Sequence, residues 1–261
     1  MGCVRPPLPV LARLAAAALL AVGMAGPARA DTPPTATTTA PTPAVGALFF
    51  PSVAGLFPLL RLPHFCSASV VHSTGRDLVI TAAHCVYGTG ATIEFAPGYD
   101  DGATPYGVWE VRRIYVDPAW RKGMDTRHDV AILQVAPRAG RQIEDVVGAN
   151  VLGTPTAGAD VTVWGYTMGA GDRPLTCTNA LYLTDGYSSF DCAGYTDGVS
   201  GGPWLQDGSV VGVTGGLEQG GCGEYAEYSA PFDADVAALL ARAEAGGGGD
   251  LAPIGWLAKS C

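Results

Sequence analysis

The chain has 261 residues with a formal net charge of −9, and it contains 36 glycines, 20 prolines and only 15% charged side chains. This length suits one large domain or two small ones, and the many glycines and prolines favour a loop-rich β protein over a helical bundle. The acidic balance argues against nucleic acid as a partner, because phosphate binding requires a basic surface.

Residues 1–30 are typical of a signal peptide. Arg5 lies in the n-region, the run that follows is apolar apart from Arg13, and "ARA" at 28–30 fits a small-x-small cleavage site before Asp31. The apolar run is short and interrupted, which disfavours a transmembrane anchor. We therefore expect a secreted, extracellular protein with no membrane association after the signal is removed.

Low-complexity Pro/Thr sequence occupies residues 31–45 and begins "DTPPTATTTAPTP". Such a composition cannot bury a core, and it predicts an extended linker, a pro-segment or a glycosylated spacer. We expect the ordered part of the chain to begin near "VGALFF", residues 45–50.

Short runs of β-type residues follow, and Gly, Pro and Asp separate them. The first set contains "SASVVHS", "DLVITAAH", "ATIEFAP", "WEVRRIYV" and "DVAILQV". The second set contains "DVTVWGYT", "LTCTNALYLT", "PWLQDGSVVGVTGG" and "AEYSAPF". Strands at this spacing, without helical patterns between them, indicate a sandwich or a barrel.

Two local signals lie in the second half of the chain. "QDGS" at residues 206–209 places Asp-Gly between two apolar runs and predicts a β-hairpin. The one good helical pattern covers residues 233–245, with Asp233 as its N-cap and Gly246 at its end. A Gly-rich tail, residues 246–261, completes the chain.

Three motifs carry residues of catalytic types: "TAAHC" contains His84, "RHDVAIL" contains Asp129, and "GVSGGP" contains Ser200. A serine hydroxyl is a weak nucleophile at neutral pH and needs a neighbouring base, for which imidazole is suited. A buried carboxylate fixes the imidazole tautomer and stabilises the imidazolium that forms. Each residue alone is weak support, but the three together, in this chain order, predict nucleophilic acyl transfer.

These motifs resemble those of the chymotrypsin/trypsin-like serine peptidases, in particular the exported bacterial members. The resemblance covers residues 46–245, and "VTVWGYT" and "VVGVTGG" are similar to family strands at the start of the second barrel and at the specificity pocket. It implies an all-β fold of two antiparallel six-stranded barrels, residues 46–145 and 150–232. A C-terminal helix at residues 233–245 would end this peptidase domain.

The resemblance also implies a role for each catalytic residue. His84 would act first as base and then as acid, Asp129 would orient it, and Ser200 would attack the peptide carbonyl to form an acyl-enzyme. The backbone N–H groups of Gly198 and Ser200 would form the oxyanion hole.

Substrate contacts are implied for Thr214, Gly215 and Gly216. In the family pattern Thr214 would also touch the buried Asp129, and Gly216 would hydrogen-bond the substrate backbone as an extra strand. We expect protein or peptide substrates and a monomeric enzyme.

This sequence departs from the family at two positions. Zymogen members carry Asp immediately before the serine, where this chain has Val199, so we expect activity that does not depend on a buried amino terminus. The trypsin-type aspartate at the pocket base is not matched, because Gly194 lies near that place. No histidine follows His128, which disfavours acidic specificity. Glu218 and Glu224 lie near the pocket rim, where they could favour a basic substrate side chain, although solvated loop charges are the commoner interpretation.

Six of the seven cysteines remain after the signal, which removes Cys3, and an even number in an exported chain favours disulfides. The resemblance implies a disulfide beside His84, between Cys66 and Cys85. The 15-residue separation of Cys177 and Cys192 suits a second disulfide, and elimination leaves Cys222 and Cys261 for a third. The expected pairs are Cys66–Cys85, Cys177–Cys192 and Cys222–Cys261. The alternative joins Cys192 to Cys222 and Cys177 to Cys261.

No metal or organic cofactor is expected, since the chain has no C-x-x-C pair, few histidines and no acidic calcium loop. Two other functions remain open. One is an esterase with the same triad, although an α/β-hydrolase would order its triad differently. The other is a peptidase-like binding protein with impaired catalysis, for which Val199 is the first suspect.

Overall fold

The computed structural model describes four parts of the chain, which are residues 1–2, 32–50, 64–168 and 173–254. Its contacts divide the chain into residues 1–32 and residues 33–261, and the fold below is that of the second unit. Cys261 and residues 3–30 of the expected signal peptide lie outside the described residues. Within those residues, no helix has both the length and the apolar character needed to span a bilayer.

The described residues form fifteen β-strands and three α-helices. The strands are β1 (Thr37–Thr38), β2 (Val45–Phe49), β3 (Cys66–Val71), β4 (Leu78–Thr81), β5 (Glu94–Pro97), β6 (Trp109–Val116), β7 (Ala131–Val135), β8 (Val151–Leu152), β9 (Asp160–Tyr166), β10 (Pro174–Ala180), β11 (Tyr182–Thr184), β12 (Tyr187–Asp191), β13 (Pro203–Gln206), β14 (Ser209–Val213) and β15 (Ala226–Ser229). The helices are α1 (Pro118–Gly123), α2 (Glu144–Val147) and α3 (Ala234–Glu244), and 3₁₀ turns cover Ala83–Cys85, Thr126–His128 and Leu217–Gly220.

The first half of the unit is a closed antiparallel barrel with the strand order β2-β3-β4-β7-β6-β5. Its strands are rich in Val, Ile, Leu and Ala, which suit a pleated and buried surface. Leu48, Ile80, Phe95, Ile114 and Leu133 are each fully buried in one hydrophobic cluster. The six-stranded barrel expected in this half is therefore confirmed.

The second half does not close, so the expectation of a second six-stranded barrel is wrong. It consists of a six-stranded sheet, β1-β10-β9-β13-β14-β8, and a three-stranded sheet, β11-β12-β15. No strand ladder joins β14 to β15; an isolated bridge between Thr214 and Ser229 and the bond from the Gly215 N–H to the Tyr228 carbonyl link the two segments. The Val213 N–H donates to the Ser229 hydroxyl at 3.0 Å rather than to a backbone carbonyl.

The other edge of this sheet is occupied by the Pro/Thr segment expected to be a linker. β1 pairs with β10 through Thr37–Thr176 and Thr38–Leu175, and Thr35 forms a bridge with Ala193. Threonine favours extended backbone, and proline is tolerated at a sheet edge, where one side of the strand needs no partner. Residues outside the expected domain thus complete the sheet of its second half.

Local signals in the second half give the expected structures. Asp207 and Gly208 join β13 to β14 with φ angles of 48° and 79°, as a two-residue hairpin requires. Asp233 caps α3 by accepting the Asp235 N–H, and Gly246 follows the helix with a positive φ. The short helices α1 and α2 were not expected, because six and four residues are too few to show a helical period.

Two disulfides are described in full. Cys66–Cys85 lies at the first barrel, and Cys177–Cys192 joins β10 to the end of β12. Both are expected pairs, and the second excludes the alternative in which Cys192 bonds to Cys222. Cys222 is also disulfide-bonded, but its partner lies outside the described residues, so its expected bond to Cys261 stays a prediction.

Candidate active site

His84 lies where the first barrel ends in a tight turn. β4 leads directly into the 3₁₀ turn Ala83–Cys85, and the disulfide from Cys85 to Cys66 ties this turn to the start of β3. Both neighbours of His84 in the turn are buried, which restrains its backbone. The histidine is therefore fixed by covalent and packing contacts on both sides.

The Asp129 carboxylate forms hydrogen bonds with two nitrogen atoms of His84. Its Oδ2 lies 2.7 Å from His84 Nδ1, and its Oδ1 accepts the His84 backbone N–H at 2.8 Å. Asp129 is 1% exposed, so water does not compete for these bonds. An ionised carboxylate only accepts hydrogen bonds, so Nδ1 carries the proton and Nε2 keeps a free electron pair for use as a base.

The third donor to Asp129 differs from the expected one. Gly216 donates its backbone N–H to Asp129 Oδ2 at 2.8 Å, whereas the Thr214 hydroxyl accepts from Trp204 Nε1 at 3.0 Å. Gly216 has a φ of 83°, which turns its N–H toward the carboxylate, and glycine at 215 leaves room for Asp129. Within the described chain no hydrogen bond joins Thr214 to Asp129, and the Gly216 N–H is bound within the chain rather than free for substrate.

Ser200 lies on the turn that precedes β13. Its carbonyl accepts the Ser67 N–H at 2.7 Å, and the next residue, Gly201, donates to the Thr214 carbonyl at 2.7 Å. Gly201 also packs on Thr81 and Ala82, immediately before the turn that holds His84. These contacts bring the three candidate catalytic residues to one region, although no hydrogen bond joins the Ser200 hydroxyl to His84 in the described chain.

Gly198 adopts a conformation that a side chain would oppose. Its φ is 100°, and a Cβ there would lie 2.6 Å from the Tyr166 carbonyl oxygen. Its own carbonyl accepts the hydroxyl of Ser67 at 2.9 Å. Across the described ranges, the N–H groups of Gly198 and Ser200 have no acceptor, so both are available to a developing negative charge.

Two residues of this region were missed from the sequence. Ser67 is fully buried, donates to Gly198 and accepts the Tyr166 N–H at 2.9 Å. A serine in a β-type run gives no signal of such a role, since it depends on strands distant in sequence. The other missed residue is Glu227. It did have a signal in the sequence, because a lone carboxylate inside the short run "AEYSAPF" departs from the usual composition of a strand.

A cavity of about 250 Å³ opens beside Ser200. Its lining combines residues next to Ser200, the turn after Gly216 and β15. The lining residues are Tyr195, Thr196, Asp197, Val199, Ser200, Thr214, Glu218, Gln219, Gly220, Gly221, Gly223 and Glu227. Of the three expected substrate-binding residues, only Thr214 contributes to this lining.

Val199 fills an apolar position. It is 2% exposed and packs against Gly165 in β9, where any added Cβ would lie 2.6 Å from the valine side chain. An ion pair with an amino terminus needs a charged partner, and valine offers none. Independence from a buried amino terminus stays a prediction.

One group of three potential metal ligands occurs in the described ranges, and it consists of Cys66, His84 and Cys85. The two cysteine sulfurs are bonded to each other, so neither is the thiolate that zinc requires. His84 Nδ1 is bound to Asp129. The donor set of this group therefore does not fit a metal ion.

Comparisons with known proteins identify the family to which the chain is similar. The sequence profile of the family described as Trypsin matches residues 49–238. An extracellular metalloprotease of Bacillus subtilis (strain 168) is 25% identical over 169 residues, covering 60% of this chain and 51% of that protein. A trypsin of Phaedon cochleariae is 27% identical over 192 residues, covering 59% of this chain and 69% of that protein.

The fold itself has solved counterparts. The crystal structure of the protease Anisep from Arthrobacter nicotinovorans matches with a TM-score of 0.68 at 23% identity, covering 81% of this chain and 100% of that one. At this identity the likeness concerns the fold. The chain spans about half the length of the first curated relative that it matches.

Proposed function

Because the chain belongs to the trypsin family of serine proteases, we propose that it is a secreted serine endopeptidase acting on proteins or peptides through an acyl-enzyme intermediate. The observation that carries this proposal is the pair of hydrogen bonds from Asp129 to His84, next to the turn that bears Ser200. A buried carboxylate bound to Nδ1 gives the imidazole the tautomer that a general base needs.

The chemistry follows from these positions. Ser200 Oγ attacks the carbonyl carbon of the scissile bond while His84 Nε2 takes the hydroxyl proton. The imidazolium, stabilised by Asp129, then gives this proton to the leaving amine, and the C–N bond breaks. Water repeats the sequence on the ester, and Ser200 regains its proton.

The tetrahedral intermediate carries a negative oxygen, which the N–H groups of Gly198 and Ser200 would bind. Loss of one such donor typically costs about 2.7–4 kcal/mol of transition-state stabilisation. Ser67, by bonding to the Gly198 carbonyl, holds the peptide plane of the turn. Ser67 is therefore a positioning residue for the oxyanion hole.

Export is part of the proposal. The described chain contains two disulfides and a further disulfide-bonded cysteine. Disulfides persist in oxidising compartments and are rare in the cytosol. Together with the signal-like residues 1–30, they support an extracellular enzyme.

The second candidate is a peptidase-like binding protein. It is favoured by the lack of a hydrogen bond between the Ser200 hydroxyl and His84 in the described chain. Such bonds are often long before substrate binds, so this observation does not outweigh the His84–Asp129 geometry. An esterase would share the triad, and it differs by failing to cleave folded or denatured protein substrates.

Fluorophosphonate labelling of the exported protein tests the proposal. We expect an adduct on Ser200 by mass spectrometry, and its absence in Ser200→Ala. His84→Ala should slow labelling by a factor on the order of 10³ or more, and Asp129→Asn should lower kcat by about 10⁴ through the wrong tautomer. A folded, processed protein that takes no label would favour the binding protein, and a labelled protein that cleaves esters but no peptides would favour the esterase.

A further inference from the structure

Glu227 lies on β15, in the wall of the cavity that Ser200 also lines. It is half-buried, and in the described parts of the chain its carboxylate has no ion pair and no hydrogen bond. Carboxylates removed from bulk water are normally paired, because desolvation opposes the charged form. An unpaired carboxylate beside a nucleophile indicates a partner that comes from outside the chain.

The charge around Glu227 defines that partner. Asp197 and Glu218 line the same cavity, and its described lining contains no Lys, Arg or His residue. An acidic ligand would meet like charges there, whereas a cation would be attracted. A small metal ion is a poor fit, because these three carboxylates do not converge into a common ligand group.

The shape of the cavity favours a long side chain. Its volume of about 250 Å³ accommodates an extended aliphatic stem that ends in a charged group. Tyr195 and Val199 supply apolar surface for the methylene groups, as amphipathic side chains require. A small side chain would leave the Glu227 carboxylate without a partner.

Protonation is consistent with an empty cation site. Desolvation by burial raises the pKa of the Glu227 carboxyl to about 8. Without a cation, the group therefore holds its proton near neutral pH, and a bound cation would favour ionisation. The raised pKa of Glu227 is thus consistent with its unpaired position in the cavity wall.

We propose that Glu227 selects the substrate, and that the cavity takes the Lys or Arg side chain preceding the scissile bond, with its cationic end paired to the Glu227 carboxylate. This inference rests on the proposed peptidase function. The position near which trypsin-type members carry their pocket aspartate is Gly194 here, so the acidic determinant comes from a different strand. Glu227 is a binding residue and takes no part in the covalent steps.

Matched peptide substrates that differ only in Arg, Lys, Gln, Leu or Glu before the scissile bond test this at pH 8.5. We expect kcat/KM for Arg and Lys to exceed that for Gln by about tenfold or more. Glu227→Gln should remove that advantage, mainly by raising KM for the Arg and Lys substrates. Glu224→Gln, an exposed charge three residues earlier, is the matched control and should leave the Arg/Gln ratio unchanged.

A binding measurement separates this inference from the proposed function. Ser200→Ala, which cannot react, should bind benzamidine but not its uncharged analogue benzamide by calorimetry, and adding Glu227→Gln should abolish the benzamidine binding. If Ser200 takes no fluorophosphonate but benzamidine binding depends on Glu227, the peptidase proposal fails and the cation site stands. If neutral substrates are cleaved while Glu227→Gln alters neither the Arg/Gln ratio nor benzamidine binding, the inference about Glu227 is wrong and the peptidase proposal stands.

Discussion

At the scale of single residues, the glycine that follows Ser200 has very little space around it. Gly201 has a φ of 76°, and a Cβ there would collide with the Thr81 hydroxyl and the Ser67 carbonyl. Gly208, in the hairpin turn, has a similar φ of 79° but open space around it. Comparing alanine substitutions at these two glycines therefore separates the cost of backbone strain from the cost of steric collision.

We expect Gly201→Ala to destabilise the protein more than Gly208→Ala and to slow Ser200 labelling by about tenfold or more, because strain and overpacking each cost about 1–3 kcal/mol. Gly208→Ala should show the strain alone and retain full labelling. Urea unfolding and labelling rates check both variants. Equal losses of stability in the two variants would mean that the contacts behind Ser200 do not matter.

The protonation of Glu227 gives a pH prediction at the same scale. Its carboxyl, with a pKa raised by burial to about 8, is neutral below that pH and ionised above it. A cationic substrate pairs only with the ionised form. The preference for Arg over Gln should therefore rise with pH through about 8, by roughly tenfold between pH 7 and pH 9.

Taking the ratio of the two substrates cancels the titration of the catalytic base, which both share. Glu227→Gln should make the ratio independent of pH. Several other titratable groups adjoin Glu227, and they are Asp191, Tyr195, Asp197, Glu218 and Tyr228. A pH-dependent ratio that persists in Glu227→Gln would assign the effect to one of them.

At the scale of elements, β1 links the Pro/Thr segment to the cavity wall. Ala36 donates to the Ala193 carbonyl at 2.8 Å, and Ala193 donates to Pro34 at 2.8 Å. The next residue but one, Tyr195, lines the cavity. The segment that composition predicts to be a spacer is therefore hydrogen-bonded to the chain that forms the cavity wall.

Deletion of residues 31–41 should raise KM for peptide substrates and lower stability, because it removes these bonds and exposes the edge of β10. The labelling of Ser200 should change less, since His84 and Asp129 lie in the first barrel. Steady-state kinetics and thermal unfolding measure the effects. Thr37→Ala with Thr38→Ala keeps the backbone bonds and is the matched control, and an unchanged KM in the deletion would contradict a supporting role.

At the scale of the whole molecule, contacts between the two halves assemble the site. Ser67 of the first barrel bonds to Gly198 and Ser200 of the second half. The chain also returns to the first barrel after α3, where Asp250 accepts the Val116 N–H at 2.9 Å and pairs with Arg242 at 2.6 Å. The C-terminal segment thus closes the fold onto β6.

Asp250→Ala should lower the free energy of unfolding at pH 7 by about 1–3 kcal/mol, because the Val116 N–H and Arg242 lose an acceptor. Burial opposes ionisation of Asp250, but its bonds to Arg242 and Val116 outweigh burial and lower its pKa. Because the pKa of Asp250 in the folded protein is below its unfolded value near 4, the ionised carboxylate stabilises the fold at pH values above about 4. This stabilisation is lost as the pH falls through the pKa of the folded protein.

Urea unfolding of both proteins from pH 7 to pH 2 checks this, and the difference between them should shrink below about pH 4. Asp235→Ala removes an exposed carboxylate from α3 and should have little effect at any pH. A difference between wild type and Asp250→Ala that stays constant down to pH 2 would contradict the assigned pairing.

Much of the site was accessible from the sequence, because the motifs around His84, Asp129 and Ser200 are local. Their residue types and chain order are the basis of the proposed chemistry, and the family profile covers all three. The hairpin at Asp207 and the cap at Asp233 were equally local, since φ preferences and capping act within a few residues.

The tertiary structure alone decided which distant groups meet. Gly216 has a positive φ and donates its backbone N–H to Asp129, a hydrogen bond that the sequence did not predict. The second half remains two separate sheets, and composition gave no sign of this. Between them the Val213 N–H is bonded to the Ser229 hydroxyl instead of to a backbone carbonyl. Glu227 is placed in the cavity wall by the pairing of β15 with β12. The register between strands that are distant in the chain cannot be predicted from local sequence, so this position was not foreseen.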